Sequence, residues 1–121
     1  MYPPVFSIAA ADAGVRTALG TDPVRLFPFG SAPEGVTLPY AVWQTAGGAP
    51  ENYITNTPDI DSFLVQVDVY AETAAAVRSA AEALRDALEP AANITSWRGE
   101  SKDQKTGHYR YSFDINFLTS R

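Results

Sequence analysis

The chain has 121 residues, of which 45% are hydrophobic and 19% charged, and its net charge at pH 7 is −5. This length predicts one domain over residues 1–121, with enough apolar side chains for one core. Cysteine is absent, which excludes disulfides, thiolate catalysis and cysteine metal sites. The nine basic residues are scattered along the chain and form no basic stripe. We therefore do not expect the protein to bind nucleic acid directly.

The sequence does not predict export or membrane insertion. Its N-terminal residues lack a basic segment followed by an apolar run, so we expect no signal peptide. Nowhere do about 18 apolar residues follow one another, which a membrane-spanning helix would need. We therefore expect no membrane partner.

The N-terminal segment has a helical pattern. Apolar residues share one face at helical spacing, namely Val5, Ile8, Val15 and Leu19. Asp12 would fall on that same face, so we expect a break there, with Asp12 capping a second short helix. Gly20 is expected to end it.

Two short strands and a long loop follow. Residues 24–29 predict a strand that Pro28 confines to an edge or a bulge. Residues 31–39 predict a loop, and residues 40–45 a second strand. Residues 46–61 show no periodicity, and loops of this length are usually functional or mobile in compact domains.

The second half of the chain has clearer patterns. Residues 62–71 and 108–118 alternate between apolar and polar side chains, which predicts two strands. Between them, a helix capped by Thr73 is expected to end before Pro90. Residues 93–98 predict a further strand, and residues 99–107 a polar loop.

The helix between the two long strands has one apolar seam, formed by Val77, Ala81, Leu84 and Leu88. On its polar side, Arg78 and Arg85 precede Glu82 and Glu89 by four residues, and this spacing predicts ion pairs. The element order is then α-β-β-β-α-β-β. This order predicts an α+β fold, a single mostly antiparallel sheet with two helices on one face.

Few residues are candidates for chemistry. Asp68 and Asp114 lie on the polar faces of long strands, and neighbouring carboxylates can divide acid and base roles, as in a small hydrolase. His108 is the only histidine, and a solvated surface residue is its simpler interpretation. Asp59 and Asp61 resemble the start of a calcium loop that lacks its glycine and its terminal glutamate. We therefore predict no catalytic residue, no metal and no cofactor.

A partner-binding surface is the stronger prediction. Helices on one face of the sheet leave Leu64 and Tyr70 on the other face among polar groups, which is typical of a surface covered by a partner. In the long loop Tyr53 and Ile54 are apolar anchors, or they fold back onto their own domain. The predicted interface residues are Glu51, Asn52, Tyr53, Ile54, Thr55, Asp59, Asp61, Leu64 and Tyr70.

Four stretches also resemble a known family, in order and spacing. They are ADAGVRTALG, RLFPFGSAPEGVTLPYAVWQ, PDIDSFLVQVDVYAET and YRYSFDINF, and from the first to the last they extend over nearly the whole chain. In this order they resemble the tail-completion family of long-tailed phages, which is similar to the lambda-type tail terminators. The closest matching features are the loop ending in Leu38-Pro39-Tyr40, the Asp-rich entry to the third strand and the aromatic closing strand.

The resemblance implies a structural virion protein with a compact α+β fold. It would form a homo-hexameric ring that caps the head-proximal end of the tail tube, stops tube polymerisation and provides the surface for head–tail joining. Its partners would be the major tail tube protein and a head–tail connector protein, and DNA would pass through the ring without specific binding. The protein would be made in the cytoplasm of the host bacterium, and the family has no catalytic residues to carry over.

Two other functions stay open at this point. The first is a ferredoxin-like small-ligand or regulatory binding module, because an α+β sheet alone does not distinguish such modules from a tail protein. It would need an enclosed apolar pocket with converging polar groups. The second is the small hydrolase that would use Asp68 and Asp114.

Overall fold

A computed structural model describes residues 3–21, 23–50 and 60–120 of the chain. Within them lie three α-helices, α1 (Val5–Ala10), α2 (Ala13–Leu19) and α3 (Ala74–Leu88). The strands are β1 (Leu26–Pro28), β2 (Tyr40–Pro50), β3 (Ile60–Ala71), β4 (Asn93–Lys102) and β5 (Tyr109–Ser120). A short 3-10 turn at Glu89–Ala91 joins α3 to β4.

The described strands form one sheet in the order β1-β2-β3-β5-β4. The α+β class is confirmed, but the predicted arrangement is wrong in two details. β1 runs parallel to β2, so the sheet is mixed, although its other three pairings are antiparallel. The described order is α-α-β-β-β-α-β-β, because the N-terminal segment, counted as one helix in the predicted order, forms two helices separated at the predicted break. β1 and β2 are parallel because residues 29–39 return the chain to the end of the sheet where β1 began. The sequence did not predict this, because an alternating pattern carries no information on strand direction.

The break between α1 and α2 occurs at Asp12, as predicted. Its extended backbone interrupts the helix, and its side chain accepts a hydrogen bond of 3.0 Å from the Val15 amide. Gly20 ends α2 with a positive φ of 87°, a conformation that glycine adopts without a steric penalty. Val15 and Leu19 therefore reach the core.

The helices pack on one face of the sheet. Thr73 caps α3 as predicted, because its Oγ1 accepts a hydrogen bond of 3.1 Å from the Ala76 amide. The predicted seam of α3 is buried, and its members are Val77, Ala81, Leu84 and Leu88. Its sheet neighbours in the same core are Val65, Val67, Val69, Phe113, Ile115 and Phe117. The other face of the sheet carries no helix among the described residues.

Strand boundaries differ most from prediction around the long loop. β2 continues to Pro50 and β3 begins at Ile60, so the prediction of a loop over 46–61 is wrong at both ends. The strand continues through a bulge at Ala46. Gly48 lies so close to the Ser62 carbonyl oxygen that a Cβ there would collide with it. These small residues do not alternate, and they form a strand because β3 pairs with them. The sequence alone does not show that pairing.

The β4–β5 connection is also shorter than predicted. β4 reaches Lys102, so only the latter part of the predicted loop over 99–107 is a turn. In that turn the Asp103 side chain accepts a hydrogen bond of 2.8 Å from the Lys105 amide. The Gly107 amide donates to the Asp103 carbonyl oxygen at 2.8 Å.

The two predicted ion pairs on α3 are wrong. Arg78 binds Glu100 of β4, with Nε 2.6 Å from Oε2 and Nη2 3.1 Å from Oε1. Arg85 contacts Asp86 and Glu82, at 2.9 and 3.6 Å. Helical spacing could not anticipate the first contact, because Glu100 comes from a neighbouring strand.

Candidate partner-binding surface

Most of the predicted interface falls outside the described residues, namely Glu51, Asn52, Tyr53, Ile54, Thr55 and Asp59. The other three, Asp61, Leu64 and Tyr70, lie on β3. Because successive side chains of a strand point to opposite faces, Leu64 and Tyr70 share the helix-free face. Asp61 instead alternates in step with Phe63 and Val65 and is buried on the helix side. The structure therefore places two of these three residues on one surface.

That helix-free face combines polar and apolar side chains. The alternation of the central strands places on it Tyr40, Val42, Gln44, Leu64, Gln66, Asp68, Tyr70, Arg110, Ser112, Asp114, Asn116 and Leu118. Leu118 is well exposed near one end, and Ser62 donates to the side-chain oxygen of nearby Asn116 at 2.9 Å. An apolar and aromatic surface with fixed polar groups has the composition of a protein interface.

Two stacked tyrosines form an aromatic patch at the opposite end of this face. Tyr40 and Tyr70 are direct neighbours on β2 and β3, and their rings stack with centroids 5.0 Å apart and planes 19° apart. Burial raises the pKa of Tyr70, and the negative charge of Asp68 raises it further. The stack presents a flat apolar surface with two hydroxyl groups, which suits interface contacts.

Asp68, in the middle of the face, accepts hydrogen bonds from three side chains. Arg110 donates to its Oδ1 from Nη2 at 2.9 Å and from Nε at 3.3 Å, and the Ser112 hydroxyl donates to the same oxygen. Gln66 Nε2 lies 3.2 Å from Oδ1. The Asp68 side chain is 12% exposed and that of Arg110 is 42% exposed. The arginine thus covers the carboxylate and stays accessible itself.

Asp114 has a similar environment on the neighbouring strand. Arg98 Nε lies 2.8 Å from its Oδ1 and 3.0 Å from its Oδ2, and the Ser96 hydroxyl donates to Oδ2 at 3.0 Å. The carboxylate side chain is 8% exposed, against 50% for Arg98. Again a buried acid lies beneath a half-exposed guanidinium.

Arg98 and Arg110 are held in place by the carboxylates and still have N–H groups that donate to neither. Hydrogen bonding to Asp68 raises the pKa of Arg110, and hydrogen bonding to Asp114 does the same for Arg98. A guanidinium has five N–H groups, and the contacts above use only some of them. The remainder can bind carbonyl or carboxylate oxygens of a partner, while each net charge is cancelled by the acid beneath.

Sequence reasoning missed the role of both arginines. Alternation along β5 placed Arg110 on the polar face, but only the register shows that it lies beside Asp68. Arg98 lies at a shift of register between Trp97 and Gly99. Because a bulge re-aims the side chains beside it, the alternation of β4 could not have predicted the contact with Asp114.

A groove of about 500 Å³ lies beside the tyrosine stack. Its walls come from the stack, Arg110 and the β4–β5 turn, with lining residues Tyr40, Tyr70, Ser101, Lys102, Asp103, Thr106, His108 and Arg110. Most of them are polar, unlike the predominantly apolar lining that a ligand-binding module requires. The histidine lies at the rim of the turn, as a partly solvated residue.

Neither candidate carboxylate has a catalytic setting. Asp68 Oδ1 accepts hydrogen bonds from Arg110 and Ser112, and its Oδ2 accepts one from Gln66. Both oxygens of Asp114 accept from arginine or serine donors. In the described part of the chain, no three His, Asp or Glu side chains cluster so that they could hold a metal ion. None of the helices described within residues 3–120 has the length and hydrophobicity that a membrane crossing requires.

Comparisons with known proteins give a family and a shared fold. The family model for the tail completion protein gp17 matches residues 3–120. No curated protein sequence matches the chain significantly. Among solved structures, a chain from the virion of a native gene transfer agent particle has the same fold, with a TM-score of 0.74 and 18% identity. That match covers 97% of this chain and 92% of the other. Because the family model spans almost the whole sequence, the chain belongs to the tail completion protein gp17 family and is a structural virion protein, not an enzyme.

Proposed function

We propose that the chain is a tail terminator, which caps the head-proximal end of the tail tube as a homo-hexameric ring. The observation that carries this proposal is the family match over residues 3–120. The fold shared with a chain of a gene transfer agent virion supports it, since the match covers nearly all of both chains. In this role the ring stops tube polymerisation and gives the head–tail connector protein a surface to join.

The two ends of the sheet differ in a way that suits a protein between two partners. β2 ends and β3 begins at one end of the sheet, and the β4–β5 turn lies at the other, with the tyrosine stack beside it. A terminator must contact a tube on one side and a connector on the other. Strands of eleven and twelve residues keep these two ends apart, by about 35 Å at roughly 3.3 Å per residue.

The segment 51–59 is the proposed contact with the tube or with a neighbouring copy. It contains Tyr53 and Ile54 among polar residues, and aromatic and aliphatic anchors of this kind dominate many interfaces. The same proposal includes Leu64 and Tyr70 of the helix-free face, whose polar neighbours are already fixed by hydrogen bonds. A partner docking there would not need to order those side chains, which lowers the entropic cost of binding.

The charge of the chain is compatible with DNA passing through the ring. The net charge is −5, and Arg98 and Arg110 are paired with carboxylates. Unpaired arginines would release counterions and bind phosphate groups. The ion pairs that these two arginines form on the helix-free face therefore disfavour binding to the DNA backbone.

Removal of the chain from the particle that carries it tests the proposed function. Without the terminator we expect tubes of uncontrolled length that fail to join heads, and the wild-type chain should restore both. The double variant Tyr53→Ala with Ile54→Ala should fold normally but restore neither. Phe6→Ala is the matched control, because Phe6 is an exposed aromatic residue on the helix side.

Three outcomes of this test have different meanings. Tubes of normal length without the chain would overturn the terminator proposal. Full restoration by the double variant would remove residues 51–59 from the contact and leave the terminator proposal standing. If the double variant unfolds as an isolated subunit, Tyr53 and Ile54 belong to the core of their own domain instead.

A further inference from the structure

The outer edge of β2 has room for another strand. β1 pairs with β2 only from Ala41 to Trp43, so residues 44–49 have β3 on one side and no strand of the described chain on the other. Residues 45–49 are all exposed. The N–H and C=O groups along this edge are therefore a template for pairing with another chain.

The residues of this edge do not protect it in the usual ways. Exposed edges are normally blunted by charged side chains, proline or bulges. Residues 44–49 read QTAGGA and contain no charged residue and no proline. Within residues 44–49 the bulge at Ala46 is the only one of these protections, and Pro50 follows at the end of the strand. Small side chains also leave space on both faces for larger side chains of a pairing strand.

The opposite edge of the sheet is β4, and it is also open. β4 pairs with β5 on one side and with no other described strand, and nine of its ten residues are exposed. Two bulges and the charged side chains of Arg98, Glu100 and Lys102 restrict the partners that this edge accepts. Trp97 is half-exposed on this strand, and its ring packs against those of Tyr111 and Phe113.

Strand direction fits a contact between these two edges. β2 is antiparallel to β3, β3 to β5, and β5 to β4, so β4 is antiparallel to β2. Rotation about an axis along the strands preserves their directions. When the ring axis runs along the strands, a neighbouring copy therefore presents its β4 antiparallel to the open edge of β2. Antiparallel pairing is slightly more stable per residue than parallel pairing.

We propose that residues 44–49 of β2 pair antiparallel with β4 of a second copy, so that the sheets of adjacent subunits join around the ring. This inference rests on the proposed ring and names the contact that builds it. Because the two edges differ, the contact is heterologous, and repeating it closes a ring. Pairing β2 with β2 of another copy would instead give a two-fold dimer and leave every β4 edge open.

Cysteine crosslinking tests the contact cleanly, because the chain has no cysteine of its own. Gly47→Cys and Ala49→Cys place thiols on the helix-free face, opposite Leu64 and Ser62. A Cβ at Gly47 meets no atom within 4 Å, so the substitution fits. Each is combined in turn with Asn93→Cys, Ser96→Cys or Ser101→Cys on β4, in full chains assembled on tail tubes and then oxidised.

We expect covalent ladders up to the full ring, because a disulfide requires Cα atoms closer than about 7 Å. Moving the β2 cysteine from position 49 to position 47 should move the most efficient β4 partner toward the C-terminal end of β4. That opposite movement is the signature of an antiparallel ladder. The control combination, Ala49→Cys with Ser79→Cys on the exposed side of α3, should give no ladder.

The outcomes separate this inference from the proposed function. Rings seen by electron microscopy without any β2–β4 crosslink would overturn the edge contact and leave the terminator standing. Crosslinked dimers from Ala49→Cys alone would show β2–β2 pairing and overturn it as well. Absence of any ring on the tubes would overturn both proposals together.

Discussion

Asp68→Asn removes the charge at the centre of the helix-free face and keeps the shape of the side chain. The asparagine oxygen can still accept from Arg110 and Ser112, but a hydrogen bond to a charged group contributes about 1.5–3 kcal/mol and a neutral one about 0.5–1.5. Arg110 is 42% exposed, so water screens part of its interaction. We therefore expect the free energy of unfolding to fall by about 1–2 kcal/mol. This is less than the loss of about 3–5 kcal/mol that follows when one partner of a fully buried ion pair is removed.

Urea unfolding of the isolated subunit measures this change, with Asp86→Asn as the control. Asp86 also pairs with an arginine, but its side chain is 60% exposed, so its loss should cost less than about 0.5 kcal/mol. A double-mutant cycle with Arg110→Gln should give a coupling energy of about 0.5–1.5 kcal/mol. Equal effects of Asp68→Asn and Asp86→Asn, or a coupling energy of zero, would refute the structural role of the pair.

Three further predictions concern single positions. Gly48→Ala should destabilise the subunit by about 1–3 kcal/mol in urea, because its Cβ meets the Ser62 carbonyl, whereas Gly47→Ala should cost much less; equal costs would contradict the packing. Leu84→Ala should cost about 2–5 kcal/mol, since Leu84 is fully buried; a loss under 1 would contradict its place in the core. The raised pKa of Tyr70 favours its neutral form in the folded state, so its contribution to stability is full below pH 10.0 and is lost as the pH rises through the folded pKa. Tyr70→Phe should remove this loss of stability at high pH, and urea unfolding curves measured from below pH 10.0 upward check it.

The parts of the fold that were predictable have strong local signals. Asp12 and Thr73 act as helix caps because their short side chains reach amides three residues later. The alternation of β3 and β5 assigned each side chain to the correct face, so Tyr70 was correctly placed among polar groups. These features depend only on neighbours along the chain.

The parts that were not predictable depend on distant partners. β2 beyond Thr45 contains small residues without alternation, and only its pairing with β3 makes it a strand. The direction of β1 depends on the path of residues 29–39, about which periodicity says nothing. Arg98 reaches Asp114 because of a bulge in β4. The pairing of arginines with carboxylates on the helix-free face therefore became visible only in three dimensions.

Image reconstruction of assembled particles, made with the chain labelled by an antibody fragment, tests the central claim most directly. The terminator proposal predicts six copies in a closed ring at the head-proximal end of the tail tube, between the tube and the connector. A single copy there, a two-fold dimer, or label at the distal end of the tail would contradict it.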